Sequence, residues 1–157
     1  MNPKPPMRKA ERALPEDETR KLLETCEYGT LSMTAPDGSP HAIPMSYVCF
    51  DNTIYFHCAM EGYKITCLDA NPEVCFSAVG KTETQPSKFS TRFESVIVYG
   101  PVHECTGDEK QKALQGLIRK YSFGFLAAGL AYIARAAGKT RVYGITIETI
   151  TGKASRA

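Results

Sequence analysis

The chain has 157 residues, with 19 Lys and Arg against 17 Asp and Glu, a net charge of +2, 43% hydrophobic residues and 23% charged ones. This balance fits one globular domain with a sizeable core and excludes collagen, coiled coil and wholesale disorder. So small a net charge gives no field that would argue for nucleic-acid binding.

Cys26, Cys49, Cys58, Cys67, Cys75 and Cys105 form no CxxC pair. With no secretory signal at the start of the sequence, they read as reduced, mostly buried thiols of a cytoplasmic protein. Residues 1–12 combine Pro3, Pro5 and Pro6 with Lys4, Arg8, Lys9 and Arg12, the composition of a flexible N-terminal arm. The domain proper then covers 13–157.

In chain order, a helix is expected from Pro15 to Cys26, where Glu16, Asp17 and Glu18 suit the positive end of the helix dipole. A strand from Gly29 to Ala35 turns at Pro36-Asp37-Gly38 into a return strand, Pro40 to Phe50, and Asp51-Asn52 turns again into Thr53 to Ala59. A short helix, Gly62 to Ala70, stops at Asn71-Pro72. A strand from Glu73 to Gly80, a polar loop from Lys81 to Ser90 and a long strand from Thr91 to Glu104 follow. Helices at Gly107–Tyr121 and Leu126–Ala137 precede a last strand, Thr140 to Ile150, with Tyr143, Ile145 and Ile147 on one face. Six strands joined mostly by short loops, with helices between or outside them, predict a mainly β, α+β antiparallel barrel. The apolar run Phe123–Ala134 is too short to span a bilayer, so no membrane association is expected.

Three segments carry the candidate chemistry. Phe56-His57-Cys58-Ala59 leads into Gly62 and Lys64 at a helix start, where free N–H groups, the dipole and an ammonium favour an anion; a surface lysine on an amphipathic helix is the plain alternative. His57 and Cys58, adjacent on a strand, point to opposite faces and cannot chelate one ion, and the spacings of His41, His57 and His103 suggest no zinc, so no metal is expected. Pro44, within His41–Val48, marks an edge or a bulge. Thr91–Gly100 concentrates polar groups at the entrance of an otherwise β-branched strand. The chain has no Gly-x-Ser-x-Gly or Walker loop.

Together and in order, these stretches resemble the flavin-binding split-barrel superfamily of pyridoxamine-phosphate oxidases, and within it the nitroimidazole-resistance branch. The likeness rests on Tyr28–Ser32, Pro44–Tyr47, Ile54–Ala59 with Gly62 and Lys64, Asn71-Pro72, Glu94–Gly100 and Ile150–Lys153. It implies a six-stranded split barrel that forms a homodimer, with FMN in clefts between the subunits. By position, Lys64 holds the phosphate, helped by the helix start from Gly62 to Thr66. Pro44, Met45, Ser46 and Tyr47 line the isoalloxazine, and the backbone of His57, Cys58 and Ala59 runs beside it. Arg92, Glu94, Ser95 and Val96 approach from the strand bordering the cleft, and His57 carries the functional role of the branch's histidine. The implied activity is FMN-dependent oxidoreduction, passing electrons from a reduced nicotinamide to a small aromatic or nitro-type acceptor. The alternatives are a non-catalytic flavin carrier or sensor, and a haem-binding split barrel with His57 or His103 as axial ligand.

Overall fold

The computed structural model describes residues 4–156; residues 1–3 of the expected arm and residue 157 lie outside the described residues. The elements are β1 (Ala13–Leu14), α1 (Glu16–Thr25), β2 (Gly29–Thr34), β3 (Pro40–Met45), β4 (Val48–Phe50), β5 (Thr53–Cys58) and α2 (Tyr63–Ala70). They continue with β6 (Glu73–Gln85), β7 (Ser90–Cys105), α3 (Gly107–Tyr121), α4 (Leu126–Ala136), β8 (Arg141–Thr146) and β9 (Thr149–Ser155). The expected mainly antiparallel α+β architecture is present.

The strand order is β3-β2-β6-β7-β8-β5-β4, with β9 pairing with both β7 and β1. β3 and β4 therefore stand at opposite ends of the order, yet only Ser46 and Tyr47 separate them in the chain. Three Cα steps reach at most about 11 Å, so the sheet must curl until its two ends nearly meet. The result is a barrel with an unpaired seam, and Pro44 lies on an edge strand that pairs only with β2, where a missing N–H costs no ladder bond.

Strand periodicity sets the interior. In β2, buried Gly29, Leu31 and Met33 alternate with Thr30, Ser32 and Thr34. The same alternation brings Ile54, Phe56, Phe76, Val98 and Ile145 into one cluster on the concave side, with Leu23 of α1 and Ile65 and Leu68 of α2. On the opposite face of β5, Tyr55 joins Cys105, Ala113, Leu114, Ile133 and Val142 beneath α3 and α4. In α4 only Gly129 and Ile133 are buried; Leu130 and Tyr132 stay exposed.

Three boundaries differ from the sequence expectation. The return strand breaks at Ser46-Tyr47, where the chain crosses the seam. The polar stretch expected as a loop is the end of a long hairpin, with Thr82 opposite Phe93, Glu83 opposite Arg92 and Gln85 opposite Ser90. Backbone pairing holds those residues extended beyond the core, so no apolar alternation betrays them. The last strand divides at Ile147-Glu148, where Ile147 N–H donates to Asn52 and Glu148 N–H to Tyr99, and β9 then crosses onto β7. These breaks and the two-residue β1 account for nine strand segments where six were expected.

β7 belongs to both halves of the barrel, since Phe93–Tyr99 pairs with β9 and Val102–Cys105 with β8. Gly100 sits at the corner between them. A Cβ there would lie 1.8 Å from the Thr146 carbonyl oxygen, so only glycine permits this approach.

Candidate functional site

The seam, the end of β5 and the start of α2 form one region. Gly62 has φ 146° and ψ 163°, a conformation that belongs almost exclusively to glycine. An added Cβ would meet nothing within 4 Å, so the backbone alone, and not crowding, demands glycine. The first α2 bonds run from Ile65 and Thr66 N–H to the Gly62 carbonyl, which leaves the N–H groups of Tyr63 and Lys64 without intrahelical partners. No acidic residue occupies the first turn and no side chain caps it.

Lys64 is half-buried, with its ammonium 5.8 Å from the centre of the Phe56 ring. Among the described residues it enters no ion pair. The His41 ring stands edge-on to Tyr63 at 4.9 Å, which brings β3 beside the α2 tip.

His57 projects with Tyr55, away from the barrel interior, while Cys58 packs against the interior cluster. The opposite-face reading of this pair therefore holds. His57 borders a crevice of about 120 Å³ formed with Leu117, Ile118, Tyr132 and Ile133. Cofactor and ligand sites commonly occupy about 300–1,000 Å³, so an isoalloxazine does not enter this crevice. Desolvation, and then the Lys64 charge, hold the His57 imidazole below its ordinary pKa. Desolvation raises the Cys58 thiol, against the lowering effect of Lys64 and Arg141.

The structure thus brings Gly62, Lys64, His57, Cys58 and Ala59 together, with Thr66 exposed one turn further along α2. Pro44 and Ser46 are exposed at the seam and Met45 is half-buried. Tyr47 differs from expectation. Its side chain is completely buried, its hydroxyl donates to the Leu23 carbonyl, and its ring meets Phe76 edge-on at 4.8 Å. Burial pushes the phenol well above its ordinary pKa. Only the backbone of Tyr47 remains to face a ligand.

Arg92, Glu94, Ser95 and Val96 lie elsewhere. Arg92 pairs with Glu83 at 3.3 Å, and Glu94 accepts from Arg156 at 2.9 Å. Ser95 lines a hollow of about 280 Å³ with Ile97, Tyr99 and Lys153, where Lys4 lies 4.4 Å over the Tyr99 ring. The Val96 side chain is buried. Within one chain these four share no described cavity with Lys64 or His57.

Sequence reading missed Tyr121, at the end of α3. Its hydroxyl donates to the Glu27 carbonyl at 2.6 Å and accepts the Tyr47 N–H at 3.0 Å, tying α3 to the seam. Its place on the apolar face of α3 was the only signal, and it pointed to packing.

Residues 15–154 match the family profile of pyridoxamine 5'-phosphate oxidase. The chain belongs to this family. No curated protein matches it. Among solved structures it resembles a FAD-binding protein from Mesorhizobium loti, at 25% identity over 92% of this chain and 97% of that one, with a TM-score of 0.66. It also resembles a protein provisionally assigned to 5-nitroimidazole antibiotic resistance from Bacteroides thetaiotaomicron (22% identity, 90% and 86% coverage, TM-score 0.73). A FAD and heme binding protein from Mycobacterium smegmatis shares the fold at a TM-score of 0.78, with 18% identity over 91% of this chain and 72% of that one. Among the described residues, no helix is long and apolar enough to cross a membrane.

Proposed function

We propose that this member of the family is a flavin-dependent oxidoreductase that holds FMN between two copies of the chain. Electrons from a reduced nicotinamide would pass to a small, electron-poor aromatic or nitro-type acceptor. The observation carrying the reading is the α2 tip, where a lysine with no ion-pair partner among the described residues, a first turn without carboxylates and a glycine in a backbone conformation other residues rarely adopt meet beside the exposed seam. An unneutralised helix start with an adjacent ammonium is a ready receptor for a phosphate dianion. The donor set therefore fits the phosphate end of a flavin nucleotide.

When bound, the flavin supplies the redox chemistry, and the protein contributes orientation and electrostatics. Lys64 and the N–H groups of Tyr63 and Lys64 bind the phosphate. The exposed edge at Pro44–Ser46 and the backbone of His57–Ala59 give the ring a flat border, and the Ser46 hydroxyl is a donor on that border. His57, kept neutral, offers a donor and an acceptor nitrogen to a substrate. Arg92, Glu94 and Ser95, remote within one chain, reach the cleft from the second copy.

The test starts from the flavin released by the purified protein, identified by mass spectrometry, with light scattering for the dimer. Lys64→Ala should weaken FMN binding about 10- to 100-fold, the worth of one charge-assisted hydrogen bond, and leave riboflavin binding nearly unchanged. Equal losses for both ligands would make Lys64 a structural residue and overturn the phosphate site. Anaerobic bleaching by a reduced nicotinamide, followed by turnover of a nitroaromatic, separates an enzyme from a carrier.

A further inference from the structure

On the outer, α3-facing side of the β5–β8 layer, the side to which Tyr55 points, three potential ligands converge where β7 ends and α3 begins. His103 and Cys105 lie two residues apart on β7 and so face the same side. Glu109 follows in the first turn of α3. The His103 Nε2 is 2.9 Å from Glu109 Oε1 and 3.7 Å from Cys105 Sγ, and the three ligand atoms lie within 4.8 Å of one another. Both contacts use the same imidazole nitrogen. A thiol–imidazole–carboxylate relay would engage the two ring nitrogens separately, so this arrangement is not built for nucleophilic catalysis. It is the arrangement of donors pointed at a common centre.

We propose that His103, Cys105 and Glu109 form a binding site for a zinc-class divalent transition-metal ion. With metal–ligand bonds of about 2.0–2.3 Å in a tetrahedron, ligand atoms stand about 3.3–3.7 Å apart. The observed 2.9 and 3.7 Å lie at or below that spacing and the Cys105–Glu109 pair falls within 4.8 Å, so an ion needs modest shifts of the exposed His103 and Glu109 side chains. One thiolate, one neutral imidazole and one carboxylate neutralise a dication, and this mixed donor set suits zinc better than magnesium or calcium.

The surroundings support a built site. Cys105 is buried at the bottom, whereas the side chains of His103 and Glu109 are 43% and 40% exposed, which gives an ion an entry path. The Tyr55 hydroxyl, 3.2 Å from the same Glu109 oxygen, orients the carboxylate from behind as outer partners of metal ligands do. Gly144 leaves room for the ring, since a Cβ there would stand 2.9 Å from His103 Cε1. All three ligands fall within seven consecutive residues, so closing the chelate costs little loop entropy. Three protein ligands leave one coordination position for water or a substrate atom.

This proposal is independent of flavin binding, and its test reads metal directly. The full chain is stripped with a chelator, dialysed against zinc and analysed for metal per chain. Cobalt substitution then reports geometry through its visible bands at red wavelengths, where flavins do not absorb. One zinc per chain and a tetrahedral cobalt spectrum are expected. His103→Ala and Glu109→Gln, both at accessible side chains, should each weaken zinc binding at least about tenfold without changing the circular dichroism. Cys105→Ser should do the same, and Cys75→Ser should not. Binding far below one ion per chain, an octahedral cobalt spectrum, or unchanged affinity in His103→Ala would overturn the site. Because His103 is exposed, that last arm stands even if the Cys105 variant fails to fold.

Discussion

The starts of α2 and α3 use one backbone device in opposite ways. Both lack a side-chain cap, so both present unpaired N–H groups and a positive dipole end. α3 answers from within, with Asp108 and Glu109 in its first turn and His103 bound to Glu109. α2 has no carboxylate there and adds a lysine beside a glycine that only the backbone requires. One tip is satisfied by its own carboxylates, one of which also faces His103 and Cys105. The other is left positive, and an external anion is its natural complement.

The largest expected effect comes from giving α2 what α3 has. Lys64→Glu removes the ammonium and places a carboxylate against the dipole, so FMN affinity should fall more than about 100-fold, above the worth of one charged hydrogen bond. The thermal midpoint should hold or rise, because the first-turn charge now suits the helix. Titration calorimetry with FMN and a melting curve check both halves; retained affinity would erase the distinction between the two tips.

The second variant probes the structural helix at its far end. Tyr121→Phe leaves the Tyr47 N–H and the Glu27 carbonyl without the hydroxyl that joins them. Denaturant unfolding should show a loss of about 1–3 kcal/mol, the range for orphaned backbone groups. A change below about 0.5 kcal/mol would mean that water replaces the hydroxyl at no cost.

The smallest effect concerns Lys120, whose ammonium lies 3.8 Å over the Tyr47 ring and has no hydrogen-bond partner among the described residues. Desolvation lowers its pKa, against the opposing charges of Cys26 and Cys49. The unfolded chain therefore holds more protons than the native one between the depressed value and the ordinary 10.5, and this residue's contribution to stability rises with pH across that window. Lys120→Met should flatten the rise relative to the parent and stabilise the protein modestly at neutral pH, as measured by unfolding midpoints at a series of pH values.

Periodicity made much of this architecture readable. α1, α2 and α3 begin and end within a residue of expectation because prolines, first-turn charges and apolar stripes are local signals. The alternation of Tyr143, Ile145 and Ile147 gave the interior-cluster face of β8, but it ran on toward Ile150 without marking the break at Ile147-Glu148. The β6–β7 extension was hidden because Thr82–Gln85 is held by cross-strand backbone bonds that leave no trace in hydropathy. Tyr47 misled for a different reason: the family resemblance carried it over by position as a lining residue, and only the distant Leu23 carbonyl explains why its side chain points inward. The His103–Cys105–Glu109 cluster escaped because its members were never read together: His103 entered only beside the other histidines and as a possible haem ligand, Cys105 as a buried thiol, and Glu109, in the first turn of α3, not at all. Spacing between histidines does not reveal a site whose other ligands are sulfur and oxygen.

β8 lies between β7 and β5, although nearly ninety positions separate Phe56 from its partner Tyr143. The β4–β5 hairpin therefore leaves the ribosome long before the strand that will stitch it to the rest of the sheet. Until Arg141–Thr146 emerges, its outer edge stands open as a template for any passing strand. A circular permutant that brought the two segments closer in the chain would shorten that exposure.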